Sequence, residues 1–122
     1  MTTTRHPFEY VVLRVVPRVD RGESINAGVV VYCRALDYLG CRVQLDRDRL
    51  AALDASADAD DIDRALTAVT DGCHDAEEIG PWFRWLTAPR STVVQPGPVH
   101  TGLTADPAGE LDRLLALLVL PR

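Results

Sequence analysis

The segment from Phe8 to Val16 constrains the fold more than any other part of the chain. It reads Phe-Glu-Tyr-Val-Val-Leu-Arg-Val-Val, so β-branched and aromatic side chains fall on both faces of an extended strand. A strand that is apolar on both faces is usually central in its sheet and covered on both sides. Pro17 ends it, because proline has no N–H to donate to a neighbouring strand.

Two further strands are predicted at Ala27–Cys33 and Leu39–Leu45. The second of them alternates apolar and polar residues, which is typical of a half-exposed strand. The short connection Arg34–Tyr38 makes this pair an antiparallel hairpin. The charged loop Arg18–Asn26, with Gly22 as its turn residue, joins the hairpin to the first strand.

Three helices are predicted from their capping residues and apolar spacing. Asp46 caps a short helix that reaches about Asp54, and a better helix runs from Asp58 to Cys73 with apolar residues at i, i+3, i+4 and i+7. Asp106-Pro107 starts a C-terminal helix. A weaker helical turn over 74–79 is expected to break at Gly80-Pro81.

Residues 81–103 show no regular period throughout. A short strand is expected at Ser91–Gln95, followed by a turn forced by Pro96-Gly97-Pro98. Three aromatic residues stand close together near the start of this stretch: Trp82, Phe83 and Trp85. They are either core plus a lid over the sheet, or a stacking surface for a ring-bearing ligand or a partner.

The order β-β-β-α-α-β-α predicts an α+β fold, a small, mainly antiparallel sheet of about four strands covered by two or three helices. At 122 residues the chain is expected to be a single domain, 1–122, with residues 1–6 flexible. Such a chain buries about two-thirds of its unfolded surface, so disulfides or a metal are not needed for stability.

Charge and motifs narrow the function. The net charge is −5, which makes nucleic acid an unlikely partner. No signal core or membrane-length apolar window is present, and three cysteines are an odd number, so a cytoplasmic, reduced protein is expected.

There is no Walker loop and no Gly-x-Gly-x-x-Gly. Cys33, Cys41, Cys73 and His74 make no zinc knuckle, so no metal or cofactor is expected.

Two blocks of residues together resemble a known family. One block is Arg21-Gly22-Glu23 with Asn26–Val30; the other contains Arg84-Trp85-Leu86, Pro89-Arg90-Ser91, Gln95 and Val99–Gly102. This pairing resembles the bacterial family called domain of unknown function 3037 over nearly the whole chain. The resemblance implies a small bacterial cytosolic protein with no assigned reaction. Members of that family often appear encoded beside a HipA-like kinase, which suggests a protein partner.

The second block supplies the main candidate site. Arg84 and Arg90 are either a fork for a carboxylate or phosphate, or surface arginines that tie a loop in place. Four polar residues of the same stretch join them as candidate ligand-binding residues: Ser91, Gln95, His100 and Thr101. His100 is the one candidate for general acid or base chemistry, and a hydrogen-bonded turn histidine is the alternative.

The loop before the second strand supplies the rest of the predicted site. Arg21, Glu23 and Asn26 either frame the same opening as Arg84 and His100 or form an ordinary solvated loop. We predict that the two blocks converge at one end of the sheet.

Three functions are compatible with these residues. The first is a binding or partner protein that recognises an anionic small molecule or protein segment through the Arg/Gln/His-rich loop. The second is a small transferase or hydrolase in which His100 is the general acid or base, and Arg84 and Arg90 stabilise negative charge. The third is a structural lid whose arginines pin the C-terminal helix. A homodimer that covers the hairpin edge is also compatible.

Overall fold

The computed structural model describes residues 3–89 and 92–121. Within these ranges the chain forms five strands and four helices. Their order is β1 (His6–Val15), β2 (Ile25–Cys33), β3 (Tyr38–Val43), α1 (Arg47–Leu53), α2 (Ala59–Asp75), α3 (Ile79–Leu86), β4 (Val94–Pro96), β5 (His100–Thr104) and α4 (Pro107–Leu118).

Strand β1 lies in the interior of the sheet, as predicted. It pairs antiparallel with β2 along one side, from Glu9 opposite Tyr32 to Val15 opposite Ile25. On its other side it pairs with β4 and β5, and β3 lies beyond β2. The α+β fold with a mainly antiparallel sheet is therefore confirmed.

Strands β4 and β5 form one interrupted row beside β1. Val94 lies opposite Val15, and His100 lies opposite Tyr10, so both strands run in the same direction along β1. Residues 97–99 span the two intervening positions of β1, and the Gly97 N–H donates to the Val12 carbonyl at 2.8 Å. The predicted turn at Pro96-Gly97-Pro98 is wrong, because the extra residue is accommodated as a bulge and the chain does not reverse.

Helices cover both faces of the sheet. Because side chains alternate along β2, Val29 and Val31 pack against α4, while Val30 and Tyr32 face α2 and α3. The α4 side is closed by apolar residues of the amphipathic helix: Leu111, Leu114 and Leu115. Double coverage explains why β2 is buried from Ala27 to Cys33.

Helix α3 corrects the prediction that Gly80-Pro81 ends a weak helical turn over 74–79. Both residues lie in the first turn of α3, which begins at Ile79. The missing N–H of Pro81 costs little there, because the first N–H groups of a helix have no partner within it. The helix then buries Phe83 completely while Trp85 stays 61% exposed. The three aromatic residues therefore divide between core and surface.

The local start signals of the other helices are confirmed. Asp46, Asp58 and Asp106 each accept a hydrogen bond from a backbone N–H in the first turn of α1, α2 and α4, respectively. The N-terminal boundary differs from the expected flexible segment, because His6 already pairs with Thr104. No helix in the described part of the chain is both long and apolar enough to cross a membrane.

We expect Phe83→Ala to lower the free energy of unfolding by about 3–5 kcal/mol, because it empties a fully buried site between α3 and the sheet. Trp85→Ala on the same helix is the matched control and is expected to cost about 1 kcal/mol or less. Urea denaturation followed by circular dichroism measures both. Equal losses would contradict the assigned buried face of α3.

Candidate functional site

Arg84 is held against the sheet by an ion pair with Glu9. Its Nη1 lies 2.7 Å from Glu9 Oε2, and its Nη2 donates a hydrogen bond of 3.1 Å to Glu9 Oε1. Oε2 is shielded from solvent and accepts no hydrogen bond among the described residues. The nearby positive charge of Nη1 therefore stabilises it by electrostatic attraction. The hydrogen bond with Glu9 raises the pKa of Arg84 further above its usual range, so this guanidinium stays charged.

Aromatic rings support the same guanidinium. Its central carbon lies 5.9 Å from the centre of the Tyr32 ring and 5.6 Å from that of Phe83. Both distances suit a cation–π contact. Arg84 is therefore fixed in place by contacts with β1, β2 and its own helix, although its side chain remains 59% exposed.

Arg84 lines a cleft of about 670 Å³ where β1 begins and β2 ends. The remaining lining comes from three strands, the turn after β2 and the start of α3: Pro7, Phe8, Glu9, Tyr32, Arg34, Gly80, Pro81 and Thr101. Arg34 is exposed, and its side chain makes no ion pair or hydrogen bond within the part of the chain that the structure describes. The cleft thus holds two guanidinium groups and one carboxylate.

The first turn of α3 borders this cleft through Gly80 and Pro81. The N-cap residue Glu78 makes no side-chain capping bond, so the N–H groups of Ile79 and Gly80 lack a partner of that kind. Gly80 also packs closely on Tyr32, since a Cβ at this position would lie 2.9 Å from the Tyr32 hydroxyl oxygen. A larger residue here would push into the floor of the cleft.

Thr101 and His100 are neighbours in β5 but point to opposite faces of the sheet. Thr101 lies opposite Glu9 and lines the cleft. The His100 ring instead stacks on Tyr10, with ring centres 5.1 Å apart, and Tyr10 packs against the core cluster that includes α4. Because alternate strand residues face opposite sides, His100 and Arg84 are separated by the sheet.

Gln95, another predicted residue of the second block, does not line the cleft. Gln95 lies in β4 opposite Arg14, and its Nε2 donates to the Thr92 carbonyl at 2.7 Å. It therefore closes a local turn. Arg90 and Ser91, which the sequence also pointed to, lie outside the described residues.

The first block lies at the far end of β1. Arg21 and Glu23 form an exposed ion pair of 2.5 Å in the loop between β1 and β2. Glu9 and Val15 are six positions apart in β1, which is about 20 Å at the usual rise per residue. The prediction that Arg21, Glu23 and Asn26 converge with Arg84 and His100 at one end of the sheet is wrong, because Asn26 lies opposite Arg14, whereas Arg84 contacts Glu9 and His100 lies opposite Tyr10 near the other end of β1.

Asn26 has a structural contact on the α4 face. Its Nδ2 donates a hydrogen bond of 3.0 Å to the carbonyl of Leu118, the last residue of α4. The last carbonyls of a helix have no partner within it, so this bond satisfies one of them and ties α4 to β2. The bond gives Asn26 a role in holding the fold.

A second cleft of about 480 Å³ lies between α2 and β4 and is mainly apolar. Its walls include Leu13, Ile62 and Leu86, which are almost fully buried members of the core clusters, and Asp58 and Asp61 stand among its lining residues. It suits an apolar group but offers few convergent polar contacts.

The three cysteines are free and buried. Burial raises the pKa of Cys41 to about 11 and that of Cys73 to about 12, so both stay as unreactive thiols at neutral pH. Among residues 3–89 and 92–121, no group of three or more His, Cys, Asp or Glu side chains is placed to hold a metal ion.

A family model described as "Protein of unknown function (DUF3037)" matches residues 10–119. The chain belongs to this family. No curated protein and no solved structure matches it significantly. The resemblance seen in the two sequence blocks is confirmed at the level of the family, over nearly the whole chain.

Sequence reasoning missed Glu9, Tyr32 and Arg34 of the cleft in this family member. One signal was present: Glu9 is an acidic residue inside an otherwise apolar strand, where an unpaired charge would be costly. Arg34 is the first residue after β2, so it lies at the end of the sheet where β1 begins. Only the register of β1 with β2 and β5 shows that these residues share one cleft with Arg84.

We expect Asn26→Ala to destabilise the protein by about 1–2 kcal/mol, because it leaves the Leu118 carbonyl without its donor. Asn26→Asp should cost at least as much, since a carboxylate cannot donate. Arg21→Ala in the adjoining loop is the control, with an expected loss below about 0.5 kcal/mol. Chemical denaturation measures all three, and an Asn26→Ala protein as stable as the wild type would show that the bond contributes nothing.

The two perturbed thiols predict a loss of stability at alkaline pH. In the unfolded chain a cysteine ionises near pH 8.5–9, whereas folding raises the pKa values of Cys41 and Cys73 to about 11 and about 12. Their contribution is therefore complete below about pH 8.5 and declines as the pH rises through 9 towards 11–12. Each thiol should cost about 1.4 kcal/mol of unfolding free energy between pH 8 and pH 10.

Urea denaturation at pH 8 and pH 10 checks this dependence. Cys73→Ala removes one of the two thiols and is expected to show a smaller decrease over the same interval. An unchanged decrease in that variant would mean that other groups cause the alkaline loss.

Proposed function

We propose that this chain is a binding protein that recognises an anionic group, a carboxylate or a phosphate, in the cleft between β1, β2, β5 and the start of α3. The observation that carries the proposal is Arg34, a charged side chain without a partner among the described residues, in the same cleft as Arg84. Arginine presents a planar fork of donors that matches both anions.

The charge of the cleft supports an anion rather than a cation. Arg34 and Arg84 outnumber the single carboxylate of Glu9, so the cleft is locally positive on a chain of net charge −5. The N-terminus of α3 adds the positive end of a helix dipole and the N–H groups of its first turn. A small positive cleft on an otherwise acidic protein favours a small anionic group. A long polyanion would need an extended positive surface.

The two arginines would have different roles. Glu9, Tyr32 and Phe83 hold the Arg84 guanidinium in place, so little side-chain entropy remains to be lost when it contacts a ligand. Arg34 is exposed and lines the same cleft, so its guanidinium would be free to contact the ligand as well. The Thr101 and Tyr32 hydroxyl groups would then fix the orientation of the ligand.

This site differs from the one expected from sequence. It keeps Arg84 and Thr101, leaves Gln95, Arg21 and Asn26 with the contacts described above, and adds Arg34. The rival transferase or hydrolase required His100 to act on the same ligand as Arg84. The sheet lies between those two side chains, so we propose recognition without a reaction.

The anionic group would come from a small molecule or from an acidic segment of a protein. The family resemblance suggests a HipA-like kinase as a partner, and this kinase is the protein to test as the source of an acidic segment.

The test is isothermal titration of the wild type with inorganic phosphate, citrate, glutamate and adenosine monophosphate, and with the HipA-like kinase. For any of these that binds, Arg34→Ala and Arg84→Ala should each weaken affinity at least about tenfold, which corresponds to about 1.4 kcal/mol. Arg21→Ala is the matched control, because it removes an exposed guanidinium at the far end of β1.

Affinity that is unchanged in Arg34→Ala and Arg84→Ala would refute the cleft as the site. Failure of every probe to bind at concentrations up to about 10 mM would refute the function itself. Thermal denaturation of each variant without ligand shows whether the variant is folded, so that affinities are compared between folded proteins.

A further inference from the structure

The outer side of β5 is an open edge of the sheet. Strand β5 pairs with β1 on one side, and no described strand lies on the other. The more extensive contacts of the helices are with β2, β3 and β4, and none of comparable extent is made with β5. Two large apolar side chains stand exposed along this edge, Val99 at 41% and Leu103 at 56%.

The backbone groups on this edge can be assigned from the neighbouring hydrogen bonds. The Val16 N–H donates to the Val93 carbonyl, and the Gly97 N–H donates to the Val12 carbonyl. Even-numbered residues of β1 therefore direct their backbone groups towards β4 and β5. By the same alternation, the N–H and carbonyl groups of Thr101 and Leu103 point outward, away from β1.

Sequence along this edge lacks the features that normally prevent strand pairing. Residues 91–105 contain no Asp, Glu, Lys or Arg, although these types make up 25% of the chain. Edge strands of monomeric proteins are usually protected by charges, prolines or covering elements. Pro96 and Pro98 protect the β4 part of the row, but β5 itself, His100 to Thr104, has neither proline nor permanent charge.

The opposite edge of the sheet is different. Strand β3 is packed by α2 on one face and by α4 on the other. It also carries Arg42, which forms an ion pair with Asp112 of α4. Strand β3 thus carries a charged residue, which opposes strand pairing, whereas β5 carries no Asp, Glu, Lys or Arg.

We propose that β5 pairs with β5 of a second copy of this chain, antiparallel, about a two-fold axis at Thr101. In this register the outward-pointing groups of Thr101 meet those of Thr101 of the second copy. Val99 then lies opposite Leu103 of the second copy, and Leu103 lies opposite its Val99. The homodimer is thus built on the β5 edge, and the hairpin edge at β3 stays outside it.

The side chains favour a second copy over an unrelated strand. The register places each exposed apolar residue of the edge opposite another one, and a threonine opposite a threonine, which are favourable cross-strand pairs. It also places His100 opposite Gly102 of the second copy, so the ring on Tyr10 meets a residue without a side chain. In a two-fold contact the same segment of each copy forms the interface, and here β5 of each copy pairs with β5 of the other.

The pairing would make one continuous sheet through both copies. A two-fold axis perpendicular to the sheet keeps the α3 layers on the same side. Each cleft contains Thr101, so the two clefts would flank the axis, with β5 of the second copy as a further wall.

Light scattering after size exclusion measures the molar mass of the full chain. The wild type is expected at twice 13.4 kDa, and Leu103→Lys at 13.4 kDa, because a charge on the edge opposes strand pairing. Leu36→Lys, in the β2–β3 turn, is the matched control and should remain dimeric, since Leu36 is exposed to a similar degree at 40%. Circular dichroism shows that both variants are folded.

A cysteine pair tests the register. Paired residues of an antiparallel sheet have Cα atoms about 5.5 Å apart, within disulfide range, so Thr101→Cys should give a covalent dimer on oxidation. Thr67→Cys, exposed on α2, is the control and should not. A wild type that is monomeric up to about 1 mM would overturn the proposal. So would a dimer that survives Leu103→Lys or that Thr101→Cys fails to link.

Discussion

The pairing of β1 with neighbours on both sides is the constraint on which the rest of the structure depends. Its backbone is shared by β2 on one side and by β4 and β5 on the other, so the sheet cannot form without it. Burial on both faces then requires helices on both faces, because Val11 and Leu13 lie on the side opposite Phe8. A single apolar strand thereby determines the layered arrangement of the fold.

The same alternation separates the chemistry of neighbouring residues. Glu9 and Thr101 lie on the α3 side with Arg84, whereas Tyr10 and His100, one position along each strand, lie on the α4 side. Polar residues that follow one another in the sequence are thus divided between the two faces of the sheet. Only every second residue of such a run can serve one ligand when the run is a strand.

The accuracy of the sequence predictions followed the range of the interactions involved. The caps at Asp46, Asp58 and Asp106 were predictable because each acts on an N–H three residues away. Strand β5 was not, because its hydrogen bonds to β1 hold it in place and its own sequence, His-Thr-Gly-Leu-Thr, has no clear apolar period. The cleft depends on that pairing too, so Arg84 and Thr101 were found while Arg34 and Glu9 were missed.

The cleft and the open edge are connected through β5. Thr101 directs its side chain into the cleft and its backbone N–H and carbonyl towards the edge, so one residue belongs to both surfaces. Whatever strand pairs with this edge must approach the wall of the cleft that faces Arg84. A second copy paired at this edge would therefore border the cleft through Thr101. The absence of charge along residues 91–105 leaves that strand able to accept a neighbour without an electrostatic penalty.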